Sequence, residues 1–516
     1  MSAGEQRADR PRPEPDTAVA AAAPTTARPA LAATAAVRDT RGTVPRIAGL
    51  DPLPGTGPAE PRTGSRLDDY LPRYSARAHG MTSSEIRALF SVASRPEVVS
   101  LAGGMPNLAD LPLDVIGGLA GDLLRRSGTT SLQYGSGQGE PALREAICEV
   151  MRVSGVVGHP DDVTVTVGSQ QALDLVTKVF CDPGDVVVAE GPSYVGALGV
   201  FRSYQAQVVH VEMDAAGLVP ERLAAALTSL QAAGRRVKFL YTIPSHHNPA
   251  GVSMTAERRE AVARICAAHD VFIVEDDPYG LLGLDGVQHR PIRADHPDNV
   301  IYLGSFSKTF APGVRVGWAL TPHAVREKLV LAQESATLCP PRLSQELVTT
   351  YLRDHDWLGQ IKVFREMYRE RRDTMLDALA ETMPAISPQI SWTRPDGGFY
   401  VWLQLPPGMD AKAMLPRAIR ARVAYVSGTA FYADGFGSRY MRLSYCFPTP
   451  DRIREGIRRL ARVLAEEMEV RRLFGADGTG SGPDQAVHGG PAGIVPGTPG
   501  DPDVRGAAAG PGPDAR

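Results

Sequence analysis

Lysine is almost missing from this 516-residue chain. Of its 55 basic residues only six are lysines: Lys178, Lys238, Lys308, Lys328, Lys362 and Lys412. Arginine serves nearly everywhere else, so a kept lysine has a reason that arginine cannot meet. One such reason is a primary amine able to form an imine. Long apolar runs are missing too. The run Ala18–Ala23 is far shorter than the ~20 residues that cross a bilayer. It is nearly all alanine, is broken by Pro24 and follows acidic residues, so it is also a poor leader. No membrane partner is expected, and the cytoplasm is the expected location. Cysteine is sparse. Cys148, Cys181, Cys266, Cys339 and Cys446 show neither a CxxC pair nor zinc spacing, as in a reduced protein without a bound metal. Charge of one sign is not in excess. A net charge of −3 gives no support for a nucleic-acid partner.

Large apolar side chains are thin at both ends. Residues 1–66 are rich in Ala, Pro, Thr and Arg, and residues 473–516 in Gly and Pro. Neither can bury enough surface to offset the roughly 1–2 kcal/mol of backbone entropy per ordered residue, so both are expected to be disordered. About 400 residues remain for the fold. They divide into an N-terminal arm with part of a small domain (67–110), a large domain (111–355) and a small C-terminal domain (356–472).

What is present is strand–helix alternation. "VTVTV", "DVVVAE", "QVVHVEM", "VKFLYT", "VFIVED" and "VIYLGS" are short apolar runs between residues 163 and 305, most of them separated by helical stretches. Such strands are buried on both faces, which predicts an α/β fold with a mainly parallel sheet between helices. After residue 360 a long helix, two short strands and a final helix predict a smaller α+β domain.

Ligands on such sheets sit at the carboxyl ends of the strands, so the residues there are the candidates. Ser169 and Gln170 open a helix after "VTVTV", where free N–H groups favour an anion. Taken alone, Ser169 reads equally well as a plain N-cap. Tyr194 follows the next strand and is placed to stack on a flat ring. Asn248, in "IPSHHNPAG", precedes a Pro-Ala-Gly turn. The neighbouring His246–His247 pair has no acidic or cysteine partner at ligand spacing in the sequence, so no metal is expected. Asp276 ends a buried strand and needs a positive partner, which a protonated ring nitrogen would supply. Tyr279 is placed to donate to an adjoining oxygen. Ser305, Ser307 and Lys308 follow the last strand, and Arg315 lies seven residues on, suited to a phosphate. A lysine enclosed there loses hydration and becomes a better nucleophile. Together these residues point to pyridoxal 5′-phosphate.

On "SLAGGMPN", "LQYGSGQGEPALREAI", "GSQQALDLV", "VEDDPYG", "SFSKTFAPGVRVGW", "RPDGGFYVW" and "MRLSYCFP", the chain resembles the class I/II aminotransferases of fold type I. Within them it is most similar to the branch with 2-aminoadipate and kynurenine aminotransferases. The resemblance implies a seven-stranded, aspartate-aminotransferase-like large domain and a ping-pong transfer of an α-amino group from an amino acid to a 2-oxo acid. It further implies that Lys308 carries the cofactor, that Arg442 pairs with the substrate carboxylate near Gly104 and Asn248, and that Tyr134 reaches the neighbouring subunit's phosphate in a homodimer. One departure is "SHHNPAG", where an aromatic-Gln pair is usual before Asn-Pro. Other readings stay open at this point. A lyase, decarboxylase or oxidase would share the lysine. Ser305-x-x-Lys308 also fits a serine-acylating motif, without its downstream partners. A DNA-binding regulator can carry the same fold, but residues 1–66 lack a helix-turn-helix pattern. The substrate side chain is not legible; its rim is expected from "SLAGGMPN" and from residues 70–84.

Overall fold

The structure is a computed structural model that describes residues 70–79, 81, 89 and 95–473. The expectations of disorder for residues 1–66 and 474–516 lie outside the described residues, while Leu473, expected to be disordered, ends the helix Pro450–Leu473; of the rim expected between residues 70 and 84, residues 80 and 82–84 lie outside them.

A short strand β1 (Val99–Ser100) precedes the main sheet. That sheet has eight strands: β2 (Val163–Thr166), β3 (Val186–Gly191), β4 (Gln207–Asp214), β5 (Gly217–Leu218), β6 (Val237–Thr242), β7 (Phe272–Asp276), β8 (Val300–Ser305) and β9 (Gly317–Leu320). Their order is β2-β9-β8-β7-β6-β3-β4-β5. From β8 to β4 every pairing is parallel. β9 runs against both of its neighbours. Seven strands match the expectation; the eighth, β5, is a two-residue strand hairpinned onto β4 at the sheet edge. The residues of β2 and β8 are buried throughout; β8 accordingly reads as an almost unbroken apolar run, whereas β2, at the sheet edge, alternates valine with buried threonine. Helices cover both faces and start where the sequence provides for it. Pro141 and Pro220 open two of them, a position where a missing N–H costs nothing. Thr255 caps the helix Ala256–Ala268 by accepting from the Arg258 N–H.

A second, antiparallel sheet is built from β10 (Ser391–Trp392), β11 (Tyr400–Gln404), β13 (Val426–Ser427) and β14 (Tyr440–Ser444), in the order β10-β11-β14-β13. Between them, β12 (Val423–Ala424) pairs in parallel with β1. Long helices Trp357–Thr382 and Pro450–Leu473 pack together beside this sheet. Among the described residues no helix is long and apolar enough to cross a membrane.

The reversed strand β9 positions the site. After Lys308 the chain turns back, with Arg315 in the left-handed region at φ 54°. Gly317 then passes so close to the start of the helix Ser169–Phe180 that an added Cβ would lie 2.5 Å from the Gly168 and Ser169 backbone. This brings Arg315 beside the end of β2.

Candidate active site

The strand β7 ends in three successive acids, and alternation separates them. Glu275 and Asp277 share one side. Glu275 accepts from the Ile292 and Arg293 N–H groups at 2.9 and 2.8 Å, and Asp277 accepts from the Tyr302 hydroxyl at 2.9 Å. Asp276 faces the other side, into a cavity of 320 Å³. Burial pushes its carboxyl up to about 7, against a hydrogen bond from Tyr241 at 2.8 Å. Its second oxygen, Oδ1, has no partner among the described residues. A buried acceptor left open in this way is costly unless something arrives to fill it.

Lys308 faces the same cavity. Its Nζ donates to the Gly104 carbonyl at 2.9 Å and lies 5.7 Å from the Phe399 ring centroid. Enclosure by protein lowers its pKa, and the positive Arg442 and Arg315 push the same way. A lysine in that state holds its proton less tightly than one in water.

Arg442 stands on β14 opposite Trp402 of β11. It is 2% exposed. One guanidinium nitrogen donates to Asn248 Oδ1 at 2.9 Å and the other to the Ala102 carbonyl at 2.7 Å. Its face lies 4.2 Å from the Tyr400 ring centroid, a cation–π contact. The Tyr279 hydroxyl donates to that of Tyr400 at 3.4 Å. Burial raises the phenol of Tyr194 to about 12 and that of Tyr279 well above its ordinary value, so both stay protonated donors. The cavity thus joins Gly104, Ser169, Tyr194, Asn248, Asp276, Tyr279, Lys308 and Arg442 from the sequence-derived set.

Gly168, at φ 75°, precedes the helix Ser169–Phe180 and holds its N-cap position without a side-chain cap bond. Ser169 is therefore the first helical residue rather than the cap. Arg315 donates to the Val167 carbonyl at 2.9 Å and reaches Ser307 Oγ at 3.4 Å. Other candidates lie off the cavity wall. Gln170 donates to the Gly196 carbonyl at 3.2 Å. Ser305 Oγ accepts from the Ser307 N–H at 3.0 Å and lines a separate small cavity beside Tyr302 and Trp318. Tyr134 is 73% exposed, outside the cavity.

A family model described as aminotransferase class I and II matches residues 99–460. The aromatic-amino-acid aminotransferase 1 of Thermococcus litoralis is 42% identical over 78% of this chain and 96% of its own length. The chain belongs to the class I and II aminotransferases. Its structure is similar to the crystal structure of Pyrococcus horikoshii kynurenine aminotransferase in complex with PMP, with a TM-score of 0.74, 38% identity, and coverage of 78% of this chain and 99% of that one. It is also similar to the α-aminoadipate aminotransferase of Thermus thermophilus complexed with N-(5′-phosphopyridoxyl)-L-leucine, with a TM-score of 0.72, 34% identity, and coverage of 78% and 99%.

Set within this aminotransferase fold, Tyr400 is the residue that sequence reasoning missed. It lines the cavity and supports Arg442, yet an aromatic in "GGFYVW" reads first as core. Its signal was the two-residue period. Tyr400 shares a sheet face with Trp402, and Trp402 sits opposite Arg442. The histidine pair also differs from expectation, because the fold supplies acids the local sequence lacks. His247 Nε2 lies 3.0 Å from Glu190 Oε2, and His246 Nδ1 lies 3.0 Å from Asp396 Oδ1.

Proposed function

We propose that this chain is a pyridoxal 5′-phosphate-dependent aminotransferase that moves the α-amino group of an amino acid to a 2-oxo acid in two half-reactions. The observation that carries the reading is the pairing, across one cavity, of an amine lowered by enclosure with a carboxyl raised to about 7 whose Oδ1 lacks a partner. These residues fit the group: a pyridinium N–H would supply the cation that Asp276 lacks, and a phosphate would meet the free N–H groups at the start of the helix Ser169–Phe180.

When bound, pyridoxal 5′-phosphate supplies an aldehyde carbon for amines and a ring that accepts an electron pair. The chain's own residues do the rest. Lys308 holds the cofactor in the resting protein, and its free amine takes the proton from Cα of the amino donor and returns it as general base and acid. Asp276 keeps a proton on the ring nitrogen. Tyr279 and Asn248 serve as donors toward the ring oxygen, and Tyr194 packs on the ring. Ser169, Gln170, Ser305, Ser307 and Arg315 form the phosphate cradle. Arg442 orients the substrate carboxylate beside Gly104 through two parallel hydrogen bonds.

The reading extends to a large domain over residues 111–355 and a small one over 356–472, with part of residues 67–110 joined to the latter; the β1–β12 pairing supports it. It includes a homodimer in which Tyr134 meets the partner's phosphate; the 73% exposure of Tyr134 supports it. It includes the cytoplasm, a reducing compartment that suits five unpaired thiols.

The test is direct. Purified protein supplied with the cofactor turns yellow, and borohydride fixes the label on the peptide containing Lys308. With an amino-acid panel and 2-oxoglutarate, glutamate accumulates. Lys308→Ala loses the colour, the label and the activity. Normal turnover by that variant refutes the reading; ammonia, peroxide or carbon dioxide in place of glutamate redirects it to another reaction.

A further inference from the structure

The motif "SHHNPAG" holds two histidines that the proposed chemistry leaves unused. His246 is 1% exposed, and its backbone lies in the left-handed region at φ 52°. A residue with a Cβ is uncommon there, and it persists only when its surroundings hold it. What holds His246 comes from another part of the chain. Its Nδ1 lies 3.0 Å from Asp396 Oδ1. Ser253 Oγ donates to the same oxygen at 2.8 Å, and His289 Nε2 lies 2.7 Å from Oδ2. The turn that carries Asp396 is shaped around the imidazole. A Cβ on Gly397 would fall 2.3 Å from a ring atom, and one on Gly398 would fall 2.8 Å from His246 Cβ. The turn is then pinned by the Tyr445 hydroxyl, which donates to the Gly397 and Gly398 carbonyls at 3.0 and 2.8 Å. Burial raises the Asp396 carboxyl, but hydrogen bonds from His246 and His289 outweigh it and hold the group well below its usual range.

These contacts close a loop around Arg442. Two residues after His246, Asn248 accepts from the guanidinium at 2.9 Å. Four residues after Asp396, the Tyr400 ring lies under the same guanidinium at 4.2 Å. Arg442 is therefore gripped from two sides, one on the segment after β6 and one on β11. The contact between His246 and Asp396 ties the two grips together across 150 residues of chain.

We propose that the His246–Asp396 pair is a positioning device for the substrate carboxylate: it sets the spacing between Asn248 and Tyr400 and so the aim of Arg442. This rests on the reading of Arg442 as the carboxylate receptor. Neither residue of the pair lines the cavity, so both act through Arg442 rather than on reacting atoms.

The test compares four full-length variants loaded with cofactor, using an amino donor that works in the coupled assay. Asp396→Asn removes the charge and keeps the shape. His246→Gly accepts the left-handed backbone but has no side chain. His246→Ala lacks the side chain and is strained. His246→Asn tolerates the backbone and places an amide nitrogen where Nδ1 stood. Asp396→Asn, His246→Gly and His246→Ala are expected to raise KM for the amino donor about tenfold, with kcat changed less than about threefold. Their cofactor affinity changes less than about threefold, and His246→Asn restores most of KM. Wild-type KM in both Asp396→Asn and His246→Gly overturns the proposal, as does a loss shared equally by KM, kcat and cofactor affinity. Donor atoms of His246, His289 and Asp396 lie within 4.8 Å of one another, so a cation is the competing explanation. A chelator that reproduces the rise in KM overturns the proposal in favour of a metal. Failure of the aminotransferase reading itself is seen separately: wild-type protein then takes no borohydride label at Lys308.

Discussion

Asp276→Asn, made in protein stripped of cofactor, should stabilise the fold, and by an amount that depends on pH. Burial pushes the folded carboxyl up to about 7, against about 3.8 for an aspartate in water, so the folded state binds this proton more tightly than the unfolded state. Stability therefore falls as pH rises from about 3.8 to about 7 and is flat above that. At 1.36 kcal/mol per pH unit, the penalty is about 2 kcal/mol at pH 5 and about 4 kcal/mol at pH 8.5. Asparagine removes it and still offers Tyr241 an oxygen acceptor. Urea melts of cofactor-free wild type and variant at those two pH values give the comparison. The variant's advantage should grow by about 2 kcal/mol between them. With cofactor the order reverses: the wild type gains from pairing its carboxylate with the ring cation, and the variant binds the cofactor weakly and turns over at least about a hundredfold more slowly. An advantage that does not grow with pH, or a variant less stable than wild type at pH 8.5 without cofactor, refutes the argument that Asp276 is held unpaired for a cation.

Two other substitutions probe the remaining walls. Arg442→Lys leaves Asn248 Oδ1 and the Ala102 carbonyl short of donors and replaces a planar fork by a point charge; KM for the amino donor should rise about a hundredfold with cofactor affinity unchanged, measured by steady-state kinetics and by reconstitution. Gly168→Ala forces a side chain onto φ 75° and places its Cβ 2.5 Å from an Arg315 nitrogen; it should cost about 1–2 kcal/mol in urea melts and weaken cofactor binding about tenfold or more.

The strand ends were legible because buried parallel strands leave a plain trace: unbroken apolar runs, each followed by a polar residue with little other reason to be there. Asp276 and Lys308 stood out by that logic, and the structure sets both on one cavity. The order of the strands left no such trace. Nothing in "VRVGWAL" announces that β9 runs backwards, yet that reversal brings Arg315 to Gly168. Residues that act through distant partners were also hidden. Asp396 lies 150 positions from His246, and no local pattern links them. The left-handed backbone of His246 is not encoded by its own residue type; partners supplied by the folded chain hold it. Arg442 came from resemblance rather than from its neighbours, since an arginine in a short strand is as often a surface residue.

The distance between Asn248 and Arg442 along the chain, 194 residues, has a consequence for biosynthesis. A ribosome delivers residues 168–315 well before residues 400–444. The segments that would take hold of the vitamin are thus exposed to the cell while the strand that would choose the substrate is still being made. Contacts across so many residues form late. A chain interrupted before β14 would lack Arg442, the residue proposed to receive the substrate carboxylate.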